Sequence, residues 1–571
     1  MTNGRRNYDE WSKEELIREI FALKKQKTYG LVWEREKTKE EFDLFINWEG
    51  EKTKEEFSSE SKDKFPVLAE VKDKEISTEK DKPVNLLIEG DNYHSLAVLN
   101  FTHKGMVDVV YIDPPYNTGN KDFKYNDKFV DKEDGYRHSK WLSFMSKRLA
   151  LAKNVLKETG VIFISIDDNE FSQLKMLCDD IFGDQSYVGT FIWRRRAPSA
   201  MANKLISSDH EYLLTYAKSD FLGFKGISKE YKAYSNPDND PRGDWTLGDL
   251  TVGMTKDQRP NQYYVLVDPK TSREYKPNPD RVWAYIPESM KKLITEKRVV
   301  FPENGAKRPM LKRFKSELKS DVNPISTFLN PEWDVNELDI GLNSEGTKIL
   351  QELLGTKKMD YPKPVSLIKA LINQVDKKDA LVLDFFVGSG TTSQAVLELN
   401  KEDKGDRRFI ICTNNENEIC TEICYPRVRN IIKGYTQKNG KKIDGLKGNL
   451  KYFKTDFVEA APTDKNKRKL VYKCTEMLCI KENAFDKVKD AKKWKIFKNN
   501  ESHLGIIFDD EYIDDFVKEV DKISGKFNVY VFSHDDSVPS KEFKKIKSRV
   551  TLKPIPETIL KVYRAVFKND I

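Results

Sequence analysis

The sequence predicts an α/β fold with a parallel sheet covered on both faces and one large insertion in the chain. Three observations predict it. Apolar runs without alternation, VNLLIEGD from Val84, VDVVYID from Val107 and VIFISID from Val161, are separated by helical segments. A strand buried on both faces has no polar side, so it reads as a continuous apolar run. That rhythm is lost between about residues 190 and 341 and resumes after Pro364. Finally, two short motifs sit at strand ends far apart in the chain. DPPY occupies residues 113–116 and LVLDFFVGSGTT residues 381–392, with Asp113 and Asp384 271 residues apart.

The elements follow in order. Ser12 to Glu15 reads as a capping box, with Trp11 and Leu16 able to staple it, and Leu16, Ile17, Ile20, Phe21 and Leu23 form a helical apolar stripe. EKTKEEF occurs twice, at residues 36–42 and 51–57, which reads as a local duplication in a solvated segment. Residues 58–82 are polar and read as a linker. Then come the strand VNLLIE, a short helix over YHSLAVLNF, the strand VDVVYI, a long polar loop, a helix over about 141–156 and the strand VIFISI. The Pro-, Asn-, Arg- and aromatic-rich stretch that follows reads as an inserted domain of mixed structure. Beyond it, ALVLDFF and RRFIICT are strands around a helix starting near Thr391. The chain from about 455 reads as a separate unit with strand-like LGIIF and FNVYVFS and a helical tail.

Composition excludes several classes. Charged residues make up 33% and hydrophobic residues 38% of 571 residues, and the net charge is +7. This is ordinary for a soluble protein of three or four domains. No apolar stretch approaches the roughly 20 residues of a spanning helix, and MTNGRRNYDEW lacks the apolar region of a secretory signal. No membrane association and a cytoplasmic location are expected. The six cysteines read as reduced, partly buried thiols. Cys420 and Cys424 lie four apart with no histidine near them, so no metal is expected.

The Gly-rich turn has the form of a strand, a tight turn and a helix N-terminus. Gly388 and Gly390 let the backbone approach a ligand closely. A helix N-terminus also suits phosphate, but the Walker lysine and the full GxGxxG are missing. Asp384, Phe385 and Phe386, with Gly388, Ser389, Gly390, Thr391 and Thr392, resemble the S-adenosylmethionine loop of amino-methyltransferases; Phe385 stands where that loop has proline. In such folds an acidic residue after the next strand holds the ribose. Thr413 stands where a glutamate would be expected, and Asn414, Asn415 and Glu416 follow, with Asn415 taken as the candidate. Asp91 and Asn92 end another strand at the same edge, where Asp91 can accept from the adenine amino group. Pro362-Lys363-Pro364 resembles the motif packing against the methionine end of the cofactor, and Pro364 is assigned there.

DPPY suits transfer to an exocyclic amine. Such a nitrogen is a poor nucleophile because its lone pair is delocalised into the ring. Two acceptors at fixed positions, the Asp113 carboxylate and the Pro114 carbonyl, can draw it toward tetrahedral geometry. Pro114 and Pro115 stiffen the loop and leave carbonyls free to accept. The Tyr116 ring can stack on a base that has left its duplex. Orientation and charge placement would supply the rate, with no metal or covalent intermediate. Asp at the first position favours adenine N6 over cytosine N4.

The stretch NLLIEGDNYHSLAVLN…VDVVYIDPPYNTGN…WLSFMSKRLALAKNVLKETGVIFISIDDNE resembles the Mod (modification) subunit of type III restriction-modification systems, β-class N6-adenine DNA methyltransferases. YGLVWE at residues 29–34 and KYFKTDFV at 451–458 extend the resemblance over nearly the whole chain. It implies a Rossmann-like methyltransferase fold, circularly permuted so that the catalytic motif precedes the cofactor motif, with a target-recognition domain between them. On that reading residues 1–82 are an N-terminal helical arm and linker, 83–193 and 344–455 the two parts of the catalytic core, 194–343 the recognition domain, and 456–571 an α/β domain for dimer or partner contacts. The DNA-binding candidates are Arg194, Arg195, Arg196, Arg259, Arg281, Arg308 and Lys312. Arginine reads guanine edges, and lysine mostly meets phosphate. Trp245 and Trp283 read as core. The implied partners are double-stranded DNA, a second copy in a homodimer, and a Res helicase-nuclease subunit. A solitary methyltransferase, a catalytically silent specificity subunit and an RNA methyltransferase are the alternatives.

Overall fold

A computed structural model describes residues 64–79, 82–119, 122–125, 128–198, 206–303, 307–331, 338–461, 463–533, 537–538 and 540–568. The N-terminal capping box, the apolar stripe, the duplicated heptapeptide and YGLVWE lie outside the described residues. The chain divides into two compact units, one of residues 1–224 and 326–571 and one of Lys225–Ile325.

The large unit is built on one mixed sheet. Its strands are β1 (Lys64–Glu70), β2 (Val84–Glu89), β3 (Val107–Ile112), β4 (Leu156–Ile166), β5 (Tyr187–Arg194), β6 (His210–Ala217), β7 (Leu381–Asp384), β8 (Arg408–Thr413) and β9 (Asn449–Glu459). They lie in the order β1-β9-β2-β8-β7-β3-β4-β6-β5, with Phe328–Leu329 beside β5. The strands from β9 to β4 run parallel, while β1 and β6 are antiparallel to their neighbours. β3 is buried at all six positions and β7 at all four, as their unbroken apolar runs require. The helices α1 (Asn92–Thr102), α2 (Arg137–Val155), α3 (Phe171–Phe182), α4 (Asn343–Leu354), α5 (Val365–Asn373), α6 (Thr391–Asp403) and α7 (Tyr425–Lys433) connect these strands. Asp91 caps α1 by accepting from the Tyr93 amide at 2.8 Å, and α5 starts directly after Pro364.

As β2 pairs with β8 and β9, so β3 pairs with β7 across the insertion, with Val109 opposite Val382 and Val110 opposite Leu383. A buried carboxylate pins their beginnings. Asp108 accepts from the Leu381 amide at 2.8 Å and from Lys157 and Lys377, each at 2.8 Å. Burial raises its pKa, and the two ammonium groups with the amide outweigh that and hold it below the ordinary aspartate value.

The segment read as a linker from 58 to 82 contains β1, which pairs along seven residues with β9. The heptapeptide KFPVLAE hides this because it carries a proline. β1 is the sheet's edge strand, the position where a residue without an N–H is tolerated. Val67 and Leu68 are fully buried there.

The chain beyond β9 forms α8 (Asp464–Lys473), α9 (Thr475–Lys481), α10 (Ile513–Val520) and α11 (Glu557–Lys568) with a five-stranded sheet. Its strands lie in chain order, β10 (Asp486–Asp490), β11 (Trp494–Lys498), β12 (His503–Ile507), β13 (Phe527–Phe532) and β14 (Val550–Ile555). One face of this sheet has its own core of Ile496, Ile507, Phe516, Val529 and neighbours. The rest is continuous with the core of the large sheet, where Met477, Tyr530 and Tyr563 join Leu96, Phe101 and Val67. Tyr563 stacks on Phe65 and donates to the Pro66 carbonyl. The segment from 455 is therefore not separate from the large sheet: its helices close over β1 and α1.

The small unit contains a three-stranded antiparallel sheet, Trp245–Asp249, Met310–Phe314 and Val299–Val300, and a helix, Pro287–Thr295. Leu250, Leu266, Tyr275, Trp283, Met290 and Leu311 form its core. The unit is narrower than the segment 194–343, because β6 and the stretch after Ser326 belong to the large unit.

Asp108→Ala is expected to lower unfolding stability by about 1–3 kcal/mol, the cost of leaving the buried Leu381 amide without its acceptor. Both lysines can turn to solvent and add little. Denaturant unfolding measures this, and wild-type stability in the variant would refute the role of Asp108.

Candidate active site

The parallel pairing of β3 with β7 brings the two motifs to the same sheet edge. Asp113 follows β3, and Asp384 ends β7 on the neighbouring strand. The tetrapeptide is held on several sides. Trp141 Nε1 donates to the Pro115 carbonyl at 2.7 Å. Asn117 takes a left-handed conformation, φ 57°, right after Tyr116. Its amide donates to Glu170 Oε1 at 2.6 Å and to the Arg137 carbonyl at 3.1 Å. Arg137 Nε donates to His138 Nε2 at 3.1 Å, and His138 Nδ1 lies 2.7 Å from the same Glu170 oxygen. Burial pushes the Glu170 carboxyl up to about 7 against the Asn117 hydrogen bond.

The Asp113 carboxylate is not alone. Lys363 Nζ donates to its two oxygens at 2.7 and 2.8 Å and to the Tyr116 hydroxyl at 3.0 Å. The Tyr116 hydroxyl lies 2.9 Å from Asp113 Oδ1 and 3.1 Å from Glu211 Oε2, and its single proton serves one at a time. Glu211, on β6, completes the group at 3.3 Å from Lys363 Nζ and 3.5 Å from Arg195. Lys363 and Glu211 are both buried. Burial opposes the lysine charge, and the carboxylates of Asp113 and Glu211 outweigh it, so its pKa lies above the ordinary lysine value. Burial and the facing carboxylates raise the Tyr116 phenol well above its usual range, so it remains a donor. Sequence reasoning placed Lys363 only within a proline motif and did not single out Glu211. The available signal was a lysine locked between two prolines before a buried helix.

The Gly-rich turn is organised from within. Gly388 and Gly390 have φ of 52° and 86°, a region costly for any residue with a Cβ. Asp384 accepts from the Phe386 amide at 3.0 Å and from Thr392 Oγ1 at 2.5 Å. Arg427, fully buried on α7, donates to Ser389 Oγ at 2.9 Å and Thr391 Oγ1 at 2.8 Å, and to Gln394. The hydroxyls of Ser389, Thr391 and Thr392 thus support the loop. Phe385 is part of the core, and Phe386 packs 6.0 Å from Phe144. Asn92 Nδ2 donates to the Phe385 carbonyl at 3.1 Å, tying the end of β2 to the turn. Arg148 Nη2 pairs with Asp91 Oδ2 at 3.2 Å. Burial raises the Asp91 pKa, and the Arg148 charge outweighs this and holds it below the ordinary value. Pro364 caps α5 beside Lys363. Asn415 Oδ1 is engaged by the Thr421 amide and hydroxyl at 3.0 and 3.1 Å, closing its own turn. A glycine cradle and an acidic strand end fit a nucleoside-bearing cofactor.

Of the DNA-binding candidates, Arg194 ends β5 and Arg195 and Arg196 follow it, with Arg196 pairing with Asp209 at 3.4 Å. In the small unit Arg281 and Arg308 share the Asp249 carboxylate at 2.6 and 3.2 Å, with side chains about half exposed at 44% and 51%. Arg259 is exposed. Lys312 leaves the set: its ammonium is buried between Asp238 and Asp240, and a buried, doubly paired lysine cannot meet phosphate. All six cysteines are buried, and among the described residues no cluster has the make-up of a metal site. No helix of the described residues is long and apolar enough to cross a membrane.

Burial pushes the Asp384 carboxyl up to about 7, above the 3.8 of an ordinary aspartate. Its contribution to stability is therefore full below about pH 4 and is lost as pH rises through about 7. Asp384→Asn is expected to flatten the stability-pH curve between pH 4 and 7, read by thermal unfolding across that range. An unchanged slope would show that Asp384 does not titrate there.

The family model for DNA methylase, of the N6/N4 methyltransferase kind, matches residues 107–424, more than half of the chain. The type III restriction-modification enzyme StyLTI Mod subunit of Salmonella typhimurium strain LT2 is 37% identical over 355 residues, covering 58% of this chain and 52% of its own. The chain thus spans about half the length of that relative. The type II methyltransferase M.KpnI of Klebsiella pneumoniae is 33% identical over 344 residues, covering 59% of this chain and 82% of its own. Among solved structures, PvuII DNA methyltransferase (cytosine-N4-specific) aligns with a TM-score of 0.31 at 12% identity, covering 60% of this chain and 87% of its own. With DPPY and the Gly-rich turn inside the matched region, the chain belongs to the N6/N4 DNA methylase family.

Proposed function

We propose that this protein transfers a methyl group from S-adenosylmethionine to the N6 amino group of adenine in a short double-stranded DNA site. The observation that carries the reading is the β3–β7 pairing, which sets Asp113 beside the cofactor turn although 271 residues separate Asp113 from Asp384. The cofactor supplies an electrophilic methyl group on a sulfonium. The residues of this chain do the rest. Asp113 and the Pro114 carbonyl accept the two N–H bonds of the target amine and turn its lone pair toward the methyl carbon. The C–S bonding pair would stay with the cofactor's sulfur as the amine nitrogen takes the methyl carbon. The nitrogen then sheds one proton, for which Asp113 is the adjacent acceptor. Tyr116 offers its ring to a base flipped out of the duplex. Asp384 and the backbone of residues 386–391, braced by Arg427, hold the cofactor, with Asp91 and Asn92 at the adenosine end.

The Mod relatives support a role as the modification and recognition subunit of a type III restriction-modification system, acting as a homodimer with a Res helicase-nuclease subunit in the cytoplasm. The segment 194–343 serves recognition of the site, with Arg194, Arg259, Arg281 and Arg308 as its first candidates for contact with DNA.

Incubation with tritiated S-adenosylmethionine and unmethylated plasmid, followed by nucleoside analysis, tests the reaction. N6-methyladenine is the expected product; N4-methylcytosine would overturn the choice of base, and no incorporation the whole reading. Asp113→Ala is expected to lower transfer by at least ~10²-fold while sparing cofactor binding. Arg427→Met is expected to weaken cofactor binding in calorimetry, and unchanged affinity would remove Arg427 from the loop's support.

A further inference from the structure

We propose that Lys363 is a yielding positioning residue, a placeholder that occupies the amine position at Asp113 between turnovers and moves onto Glu211 when the target amine arrives. The inference rests on the methyl-transfer reading above. Its first support is geometric. The Lys363 ammonium donates to both oxygens of Asp113 at 2.7 and 2.8 Å and to the Tyr116 hydroxyl at 3.0 Å. A substrate amine must donate to the same carboxylate. The ammonium already takes a lone pair on each oxygen, and the Tyr116 hydroxyl lies against Oδ1, so an incoming amine competes with the lysine for this carboxylate.

The second support is a place to go. Glu211 Oε2 lies 3.3 Å from Lys363 Nζ, buried and already within 3.1 Å of the Tyr116 hydroxyl. A shift of the ammonium onto Glu211 keeps a buried charge paired, and a buried charge without a partner is costly. Arg195 shares Glu211 at 3.5 Å, so the four groups Asp113, Glu211, Lys363 and Arg195 balance in charge before and after the shift.

The third support is that only the side chain can move. Lys363 stands between Pro362 and Pro364, which restrict the backbone. Gly346 of α4 packs so closely that a Cβ there would lie 2.1 Å from the Pro362 carbonyl oxygen and 2.7 Å from that of Lys363. The anchor is rigid and the four-carbon stem is flexible.

The consequence is electrostatic. While the ammonium sits on Asp113, the carboxylate is compensated. When the ammonium moves to Glu211, Asp113 faces the amine uncompensated at the moment its nitrogen gains positive charge, which is where fixed charge lowers a barrier.

The test uses the full chain with S-adenosylmethionine and plasmid DNA under single-turnover conditions, with cofactor affinity measured by calorimetry. Lys363→Met and Lys363→Arg are both expected to slow transfer at least tenfold, with cofactor dissociation constants within about twofold of wild type. An arginine keeps the charge but grips Asp113 with two parallel hydrogen bonds and does not yield. Restoration of the wild-type rate by arginine would show a static charge role and overturn the proposal, as would transfer by Lys363→Met within threefold of wild type. Should the lysine variants fail to fold, Glu211→Gln decides: at least tenfold slower transfer is expected, and a wild-type rate overturns the proposal. Wild-type protein that transfers no methyl group would refute the underlying reading instead.

Discussion

The parallel pairing of Val107–Ile112 with Leu381–Asp384 is the constraint on which the structure depends. With the pairings of β8 on β2 and of β9 on β1 and β2, it makes one sheet from two chain segments divided by an insertion. Its register is pinned at the start by Asp108, which binds the Leu381 amide and two lysines, and it delivers Asp113 and Asp384 to the same edge. A slip of one residue would turn every side chain of β7 to the other face. Both strands are buried on both faces, so periodicity alone does not prevent that slip, and the buried carboxylate supplies the missing polar signal.

At the edge so formed, polar groups are committed to one another. The hydroxyls of the Gly-rich turn face Asp384 and Arg427, Asp91 faces Arg148, and Asp113 faces Lys363. On the proposed reading, Asp113 and the Pro114 carbonyl meet the target amine, and Asp384, Asp91 and the turn meet the cofactor. Such a site is rigid before anything binds, because each side chain is oriented by a buried partner. The network of Asn117, Glu170 and His138 extends this behind the tetrapeptide, where it fixes the left-handed residue that turns the chain away from Tyr116.

The legible parts of the fold are those with local causes. VNLLIE, VDVVYI, LVLD and FIICT are strands because their mostly apolar runs are buried almost throughout. Asp384, Gly388 and Gly390 stand out because a strand, a tight turn and a helix must follow within twelve residues. β1 was illegible because a short run with a central proline reads as linker until its edge position is known. The closure of the C-terminal helices over β1 was equally hidden, since Tyr563 and Phe65 lie almost 500 residues apart. Lys312 resembled a DNA-facing lysine because Asp238 and Asp240, which bury it, lie more than seventy residues upstream.

The sequence by itself determined the α/β class, the insertion between two motifs and the chemistry that an acidic-proline-proline-aromatic turn suits, because each follows from residues close together in the chain. The tertiary structure alone decided what surrounds Asp113. Lys363 comes from 250 residues downstream and Glu211 from an antiparallel strand two places away in the sheet, and both acquire meaning only through burial. A charged residue exposed to water is ordinary; the same residue out of water must have a partner, and only the folded chain names it.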